Sequence, residues 1–334
     1  VTNTMAEHGS QIGFMRVTYH WMEAELEPMR LPAFADVQAA AKRLAGVALR
    51  TPLLCGTPLD EQTGGRVLLK LESLQRHGSF KIRGAYNRLV QLDEEERKAG
   101  VVAFSSGNHA QGVAGAARIL GIRATIVMPA DAPRLKLENT RALGAEVVLY
   151  DRYRENREGV AARVLAERGG TLVPAFDDPH IVAGQGTAGL ELMQQAMEAG
   201  FTPDQVLIGA SGGGLLAGCA LAIRALSPST TVHAVEPDAF DDIRRSLAAG
   251  RRLENPPEAR TICDALMSSP CGAIPFALMR QHVAGGFAVS DEEVLAAMEY
   301  GFRVLKLVIE PGGAVALAAV LAGRLPLAGR TTAI

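Results

Sequence analysis

The chain has 334 residues, of which 48% are hydrophobic and 21% are charged, which is enough for one large or two ordinary domains. Its 34 Lys and Arg residues against 36 Asp and Glu residues leave a formal charge of -2, which argues against a general nucleic-acid binder because such a protein needs a basic excess. The apolar content, and the lack of a Gly-X-Y period among 35 glycines, exclude a disordered or collagen-like chain.

The cysteines are widely spaced and form no CxxC pair. They are Cys55, Cys219, Cys263 and Cys271. This spacing argues against a zinc cluster or a disulfide scaffold, and it predicts a reducing, cytoplasmic compartment.

The first 28 residues differ from the rest of the chain. They begin with Val1, contain the single tryptophan, Trp21, and have neither a clean periodicity nor the apolar core of a signal peptide. We expect residues 1–28 to be an extension that is poorly ordered and lies outside the fold. From residue 29 onward, apolar residues recur at helical spacing, which marks the start of a domain.

Short apolar, β-branched runs then alternate with longer helical stretches. The predicted strands are Val67–Leu71, Val101–Phe104, Ala124–Met128, Glu146–Leu149, Thr171–Val173, Val206–Ile208 and Val232–Val235. The predicted helices are Ile82–Leu92, Ala110–Leu120, Pro133–Leu143, Arg157–Glu167, Gly184–Glu198, Leu215–Leu226 and Glu292–Leu305. Because these strands are continuously apolar rather than alternating, they indicate parallel sheets buried between helices, and the predicted fold class is α/β.

One uncharged stretch is long enough to suggest a membrane helix. Val206–Ile223 spans 18 residues, but its centre reads Gly209-Ala210-Ser211-Gly212-Gly213-Gly214. Each glycine costs a helix about 1 kcal/mol relative to alanine. We therefore predict a buried strand, a glycine turn and a buried helix, and no membrane span.

This glycine turn is a candidate anion site, because its backbone N–H groups converge at a helix N-terminus. A phosphate or a pyrophosphate suits it. The residues Gly212–Ala217 also match the dinucleotide pattern G-x-G-x-x-A, and Glu236 follows about 20 residues later, where an acid binds the ribose. These residues alone leave a nicotinamide-dependent oxidoreductase open.

Two further segments point to chemistry. Lys81 stands between Phe80 and Ile82 at the start of a predicted helix, and both the apolar surroundings and the helix dipole lower the pKa of a lysine and favour a nucleophilic amine. The run Phe104-Ser105-Ser106-Gly107-Asn108-His109-Ala110 forms a second strand–turn–helix unit, whose backbone donors suit a carboxylate. A nicotinamide enzyme does not need this second site.

Together these motifs resemble the fold-type II pyridoxal-phosphate enzymes, in particular the threonine/serine dehydratases and serine racemase, over roughly Leu31 to Ile334. The resemblance implies the tryptophan synthase β-like fold, with two intertwined domains that each hold a mainly parallel sheet flanked by helices. The large, cofactor-binding domain is expected to comprise residues 29–82 and 178–334, and the small, substrate-loop domain residues 83–177.

The resemblance also implies roles for individual residues. Ser79-Phe80-Lys81-Ile82-Arg83-Gly84 is similar to the family's Schiff-base motif, so pyridoxal 5'-phosphate is expected on Lys81, with Phe80 against its ring and Asn108 bonded to its ring hydroxyl. The phosphate loop is expected to be Ser211, Gly212, Gly213, Gly214 and Leu215. The substrate carboxylate is expected on Ser105, Ser106, Gly107, Asn108 and His109. Ser106 is also a candidate second base, as in racemases.

Glu236 acquires a second interpretation from the same resemblance. In serine racemase and some dehydratases a glutamate, a carbonyl four residues later and an aspartate six residues later bind Mg²⁺ or Ca²⁺. Here these are Glu236, the Phe240 carbonyl and Asp242, whose oxygen atoms suit such cations. Spacing alone equally allows a solvated acidic turn.

The implied reaction is α,β-elimination from a β-hydroxy amino acid, in which Lys81 abstracts the α-proton and a 2-oxo acid and ammonia are released. The segment Ile309–Leu317 is similar to threonine dehydratases, so threonine is the first expected substrate and serine the second. Serine racemase or hydroxyaspartate dehydratase is the alternative within the family, and a catalytically weakened amino-acid or partner-binding protein is the alternative outside enzymes. A homodimer is implied by the resemblance.

The end of the sequence departs from the family pattern. In the family a last strand runs into a Ser-Gly-Gly-Asn turn, whose serine or threonine hydroxyl pairs with the pyridine nitrogen. Here Arg330-Thr331-Thr332-Ala333-Ile334 begins that strand and the sequence stops. We therefore expect a short form without the regulatory domain of biosynthetic threonine dehydratases. We also expect a sheet that lacks this strand and a cofactor that lacks one anchor.

Overall fold

The structure, a computed structural model, describes residues 30–105 and 107–334. The predictions made for residues 1–28 and for Ser106 lie outside these residues. The helices are α1 Phe34–Leu44, α2 Pro58–Thr63, α3 Lys81–Leu89, α4 Glu94–Ala99, α5 Asn108–Leu120, α6 Arg134–Ala142, α7 Arg157–Arg168, α8 Pro179–Glu198, α9 Gly214–Leu226, α10 Asp242–Ala249, α11 Ala273–His282, α12 Asp291–Tyr300 and α13 Pro311–Leu321. The strands are β1 Leu53–Leu54, β2 Arg66–Lys70, β3 Val101–Phe104, β4 Ala124–Pro129, β5 Glu146–Tyr150, β6 Thr171–Leu172, β7 Gln205–Gly209, β8 Thr231–Pro237, β9 Gly285–Val289 and β10 Thr331–Ala333. Residues 31–334 form one compact unit.

The strands form two sheets, as the α/β interpretation predicts. One sheet has six strands in the order β1-β2-β10-β7-β8-β9, and only β1 and β2 pair antiparallel. The other has four parallel strands in the order β5-β4-β3-β6. The strands of the four-stranded sheet come from residues 101–172, and those of the six-stranded sheet come from either side of that range. The division into two domains at residues 82 and 178 stays a prediction.

Helices cover both faces of each sheet, which is why the strands are continuously apolar. In β3, Val101 and Ala103 pack with α3 and α5, while Val102 packs with α7. In β2, Leu68 belongs to the cluster that holds α8 and α9, and its neighbours in the strand pack with α13.

The expectation that the large sheet lacks its last strand is wrong. Residues Thr331–Ala333 form β10, an inner strand that pairs in parallel with both β2 and β7. Thr332 lies opposite Val67 on one side and Gln205 on the other. The side chain of Thr332 is fully buried and accepts a hydrogen bond from Gln205 Nε2 (2.8 Å), which ties the strand into the sheet.

Helix α8 packs against both α3 and α9 and so fixes the distance between them. It begins at Pro179, five residues before the predicted start, because the carboxylate of Asp178 caps it by accepting from the N–H groups of His180 and Ile181. Glycines allow the close approach: a Cβ on Gly184 would lie 2.6 Å from Cα of Gly84 in α3. Within the described residues, no helix is long and apolar enough to cross a membrane.

Candidate active site

Lys81 is the first residue of α3, directly after Phe80. Its Nζ donates a hydrogen bond to the carbonyl of Ala175 (3.0 Å) and lies 5.3 Å from the centre of the Phe80 ring. Burial lowers the pKa of the Lys81 amine to about 8, since the charged form loses its water. The amine is therefore much more often neutral near pH 8 than a surface lysine, which is what a nucleophile or a base requires.

Residues 173–177, between β6 and α8, connect the predicted parts of the site. The Val173 carbonyl accepts a hydrogen bond from His109, and the Ala175 carbonyl accepts one from Lys81. Phe176 packs against the glycine turn, and Asp177 caps α11 by accepting from the N–H groups of its first two residues (3.0 and 2.9 Å). Sequence reasoning missed this segment, because a coil between two elements carries no local pattern of its function.

The glycine turn lies between β7 and α9, as predicted, and its glycines are required by shape. A Cβ on Gly212 would overlap the ring of Phe176, and Gly213 has a φ of 90°, where side chains are strained. The Ser211 hydroxyl accepts a hydrogen bond from the Ser268 N–H (3.0 Å), so it braces the turn. Gly214 and Leu215 are the first residues of α9, so the turn offers first-turn N–H groups of the kind that hold phosphate.

The second turn leads from β3 into α5. The Gly107 N–H donates to the Ser105 hydroxyl (3.2 Å), Gly107 is the N-cap, and Asn108 is the first helical residue. His109 is buried, and its Nε2 lies 3.0 Å from the Val173 carbonyl, which can only accept; Nε2 therefore carries the hydrogen. Burial, with the charge of Lys81 adding to it, lowers the pKa of His109 to about 3, so the imidazole stays neutral.

A cluster of polar side chains adjoins this turn, and sequence reasoning did not foresee it. Asn108 Nδ2 donates a hydrogen bond to Glu310 at the start of α13, so the amide expected to meet the cofactor is held by a carboxylate. Lys136 of α6 pairs with Asp264 (2.8 Å) and lies 3.8 Å from Glu310 Oε2. These contacts join α5 and α6, which flank the four-stranded sheet, to residues that follow β8.

The three predicted cation ligands lie in consecutive elements, from the end of β8 to the first residue of α10. Glu236 is fully buried and accepts from the N–H groups of Ile243 (2.9 Å) and Arg244 (2.8 Å), and Asp242 accepts from Asn255 (2.6 Å) and from the Cys271 N–H (3.2 Å). Burial raises the pKa of Glu236 to about 8 and that of Asp242 to about 6, and the neighbouring carboxylates add to the shift at Glu236. Among the described residues no group of three or more His, Cys, Asp or Glu side chains could hold a metal. A site here therefore depends on the Phe240 carbonyl as a third oxygen.

Comparison with known proteins identifies the class. The family of pyridoxal-phosphate dependent enzymes matches residues 45–334, and the chain belongs to this family. An L-threo-3-hydroxyaspartate ammonia-lyase of Pseudomonas sp is 47% identical over 294 residues, covering 87% of this chain and 90% of that protein.

Two solved structures share the fold. The T.th. threonine deaminase superposes with a TM-score of 0.84 at 48% identity, covering 90% of this chain and 96% of that one. Maize serine racemase superposes with a TM-score of 0.86 at 36% identity, covering 91% and 92%. The architecture is thus that of the fold-type II pyridoxal-phosphate enzymes, and the chain groups with their ammonia-lyases and racemases.

The residues present fit pyridoxal phosphate. Lys81 offers a buried amine of lowered pKa, and the glycine turn offers the first-turn N–H groups of α9 to a phosphate. Because the chain belongs to the pyridoxal-phosphate family, the alternative of a nicotinamide-dependent oxidoreductase is set aside. Glu236, the acid on which that alternative depended, instead caps α10 with both carboxylate oxygens.

Proposed function

We propose that the protein is an ammonia-lyase that converts L-threonine to 2-oxobutanoate and L-serine to pyruvate, with release of ammonia. The observation that carries the proposal is the buried amine of Lys81. Residues 173–177 contact this lysine and also both of the turns that are suited to anions. The named relatives act on, or are named for, hydroxyaspartate, threonine and serine, which are all β-hydroxy amino acids. Threonine is our first choice, because Ile309–Leu317 is similar to threonine dehydratases.

Each group has a distinct part in the reaction. Pyridoxal phosphate, when bound, withdraws electrons from Cα of the amino acid and so acidifies its α-proton. Lys81 would hold the cofactor, and its Nζ would take the α-proton of the bound amino acid. The glycine turn Ser211–Leu215 binds the phosphate, and the N–H groups of the turn Ser105–His109 bind the substrate carboxylate. The β-hydroxyl takes up a proton and leaves as water as the C–O bond breaks. A second water then replaces the nitrogen, which leaves as ammonia, so that the net products are the 2-oxo acid and ammonia.

Neutral His109 positions this turn. Its Nε2–H bond to Val173 ties α5 to the same segment whose Ala175 carbonyl holds Lys81. Because its pKa is about 3, its charge is constant over the working pH range of most enzymes. The resemblance assigns the second base to Ser106, and this assignment keeps a racemase side activity open.

The proposal is tested by giving the holoenzyme L-threonine, L-serine and L-threo-3-hydroxyaspartate and measuring ammonia and 2-oxo acid. We expect equal amounts of the two products, with the highest kcat/KM for threonine. If kcat/KM is highest for hydroxyaspartate, the protein is the alternative enzyme of the family, a hydroxyaspartate dehydratase. Production of D-serine from L-serine, without 2-oxo acid, would make the protein a racemase, and turnover of none of the three would leave the non-enzyme alternative.

A divalent cation at Glu236, the Phe240 carbonyl and Asp242 is a second proposal. It is supported by three oxygen donors of the kind that Mg²⁺ and Ca²⁺ prefer, of which Glu236 lies near the end of β8 and Asp242 begins α10. Added Mg²⁺ or Ca²⁺ should raise the Tm of the wild type and leave that of Glu236→Gln unchanged. Equal shifts in both proteins, or none in either, would argue for a capping role alone.

We also propose that the protein is cytoplasmic and forms a homodimer. The four cysteines are free, and three of them are buried, as expected in a reducing compartment. The homodimer rests on the resemblance, and light scattering of the holoenzyme measures it.

A further inference from the structure

A lysine ammonium lies against the turn proposed for the substrate carboxylate. Lys136 Nζ is 3.0 Å from the position that a Cβ on Gly107 would occupy, so the missing side chain lets the ammonium approach the backbone. Gly107 is the N-cap of the 13-residue helix α5, and therefore the ammonium and the first-turn N–H groups place positive potential in one spot.

This placement does not stabilise the helix. Cations stabilise a helix near its C-terminus, whereas a lysine at the N-terminus has the unfavourable sign. The Lys136 side chain is also only 17% exposed, so its charge is poorly hydrated. A negatively charged ligand at the turn is the species that would satisfy both the helix end and the ammonium.

Two carboxylates lie near the Lys136 ammonium in the structure. Asp264 Oδ2 lies 2.8 Å from Lys136 Nζ, and Glu310 Oε2 lies 3.8 Å away, beyond hydrogen-bond distance. Within residues 30–105 and 107–334 the ammonium donates a hydrogen bond to Asp264 alone, and an ammonium has three N–H donors. Lys136 therefore has N–H donors left for the carboxylate of a ligand, but the negative charge of Asp264 weakens the attraction between the ammonium and that carboxylate.

We propose that Lys136 binds the α-carboxylate of the amino-acid substrate and that Asp264 competes with this carboxylate for the ammonium. The inference rests on the proposed function and adds the residue that supplies the countercharge. All three candidate substrates carry an α-carboxylate, so the role of Lys136 is the same for each. A residue that binds only the second carboxylate of hydroxyaspartate would act on that substrate alone.

The two substitutions Lys136→Met and Asp264→Asn separate this role from a structural one. Both break the same ion pair, so a purely structural bridge predicts the same effect for both. A competing carboxylate predicts opposite effects. Loss of Lys136 raises KM by about tenfold or more, as expected for a hydrogen bond between charged groups. Loss of Asp264 frees the ammonium and lowers KM by about two- to fivefold.

The experiment measures kcat and KM of the holoenzyme for L-threonine and L-threo-3-hydroxyaspartate. We expect Lys136→Met to raise KM for both substrates with kcat nearly unchanged, and to reduce the increase of KM with salt; Lys136→Arg should restore most of the affinity. The cofactor absorbance and the Tm serve as controls for folding. Changes of KM in the same direction in Lys136→Met and Asp264→Asn would overturn the inference, as would an effect confined to hydroxyaspartate.

Failure of the proposed function is recognised separately. If the wild type releases no 2-oxo acid from any substrate, that function is wrong. The inference is then judged from the concentration of L-serine that half-saturates the change in cofactor absorbance. This concentration must rise in Lys136→Met and fall in Asp264→Asn, and any other result, including no change of absorbance, overturns the inference.

Discussion

At the scale of single residues, the chemistry of the site depends on the burial of one amine. The motif around Lys81 predicts a lowered pKa from its apolar neighbours and the helix dipole. In the structure the pKa of the Lys81 amine is lowered, and burial is the cause. The partner of this amine could not be predicted, because Ala175 is 94 residues away in the sequence and contributes a backbone carbonyl, which any residue type would supply.

The lowered pKa predicts how the cofactor attaches. Attachment needs the neutral amine, so its rate in cofactor-free protein should rise with pH and level off above a midpoint near 8, instead of near the ordinary lysine value of 10.5. Stopped-flow absorbance after mixing with pyridoxal phosphate from pH 6 to about 10.5 measures this midpoint. A rate still rising steeply at the upper end would mean that Lys81 is exposed to water in solution.

At the scale of elements, an ion-pair network fixes α3 and hence Lys81. Arg83 is fully buried and makes two hydrogen bonds each to Glu72 and to Glu191 of α8, all at 2.8 Å. Lys70 of β2 adds a third contact to Glu191 (2.9 Å), so two cations balance two carboxylates. The sequence motif contains Arg83 but says nothing of these partners, which lie up to 108 residues away.

Replacing Arg83 with Met should lower the free energy of unfolding by about 3–5 kcal/mol, because it leaves two mostly buried carboxylates beside a single lysine. Arg50→Met is the matched control. It breaks an arginine–glutamate pair, to Glu198, whose side chains are 50% and 61% exposed, and it should cost less than about 1 kcal/mol. Urea unfolding of the three proteins provides the comparison, and equal losses in the two variants would refute a special role of the buried network.

The network also gives the stability a dependence on pH. Burial alone would raise the pKa of Glu191, but hydrogen bonds from Arg83 and Lys70 outweigh it and lower the pKa below the usual value of 4.5. The unfolded state then binds more protons than the native state in this range, so this contribution is present above about pH 4.5 and is lost as the pH falls through the native pKa. Glu191→Gln should have a shallower loss of stability in acid than the wild type, and parallel curves would contradict this.

At the scale of the whole molecule, strands with a clear apolar run could be predicted and others could not. The predicted strands correspond to β2–β8 to within one or two residues at their ends. Strand β9 was missed because it begins with Gly285 and Gly286, which disfavour a strand in isolation, and it forms only because β8 pairs along its full length. The same holds for β10, whose three residues become a strand between β2 and β7.

The site follows the same division. Motifs along the chain indicated Lys81, both turns and the acidic residues near the end of β8, and the roles assigned to these residues stay predictions. Contacts that join distant parts of the chain, such as Asn108 with Glu310 and Lys136 with Asp264, depend on how the elements around the two sheets pack. A single sequence does not contain that information, because the residue types involved are common on any protein surface.

The central claim is that Lys81 carries pyridoxal phosphate and performs the elimination. Its most direct test is borohydride reduction of the holoenzyme, followed by peptide mass spectrometry and an assay for 2-oxo acid. We expect the reduced cofactor on the peptide that contains Lys81, with no product released afterwards, and neither label nor activity in Lys81→Ala. A label on another lysine, or 2-oxo acid released by Lys81→Ala at the wild-type rate, would contradict the claim.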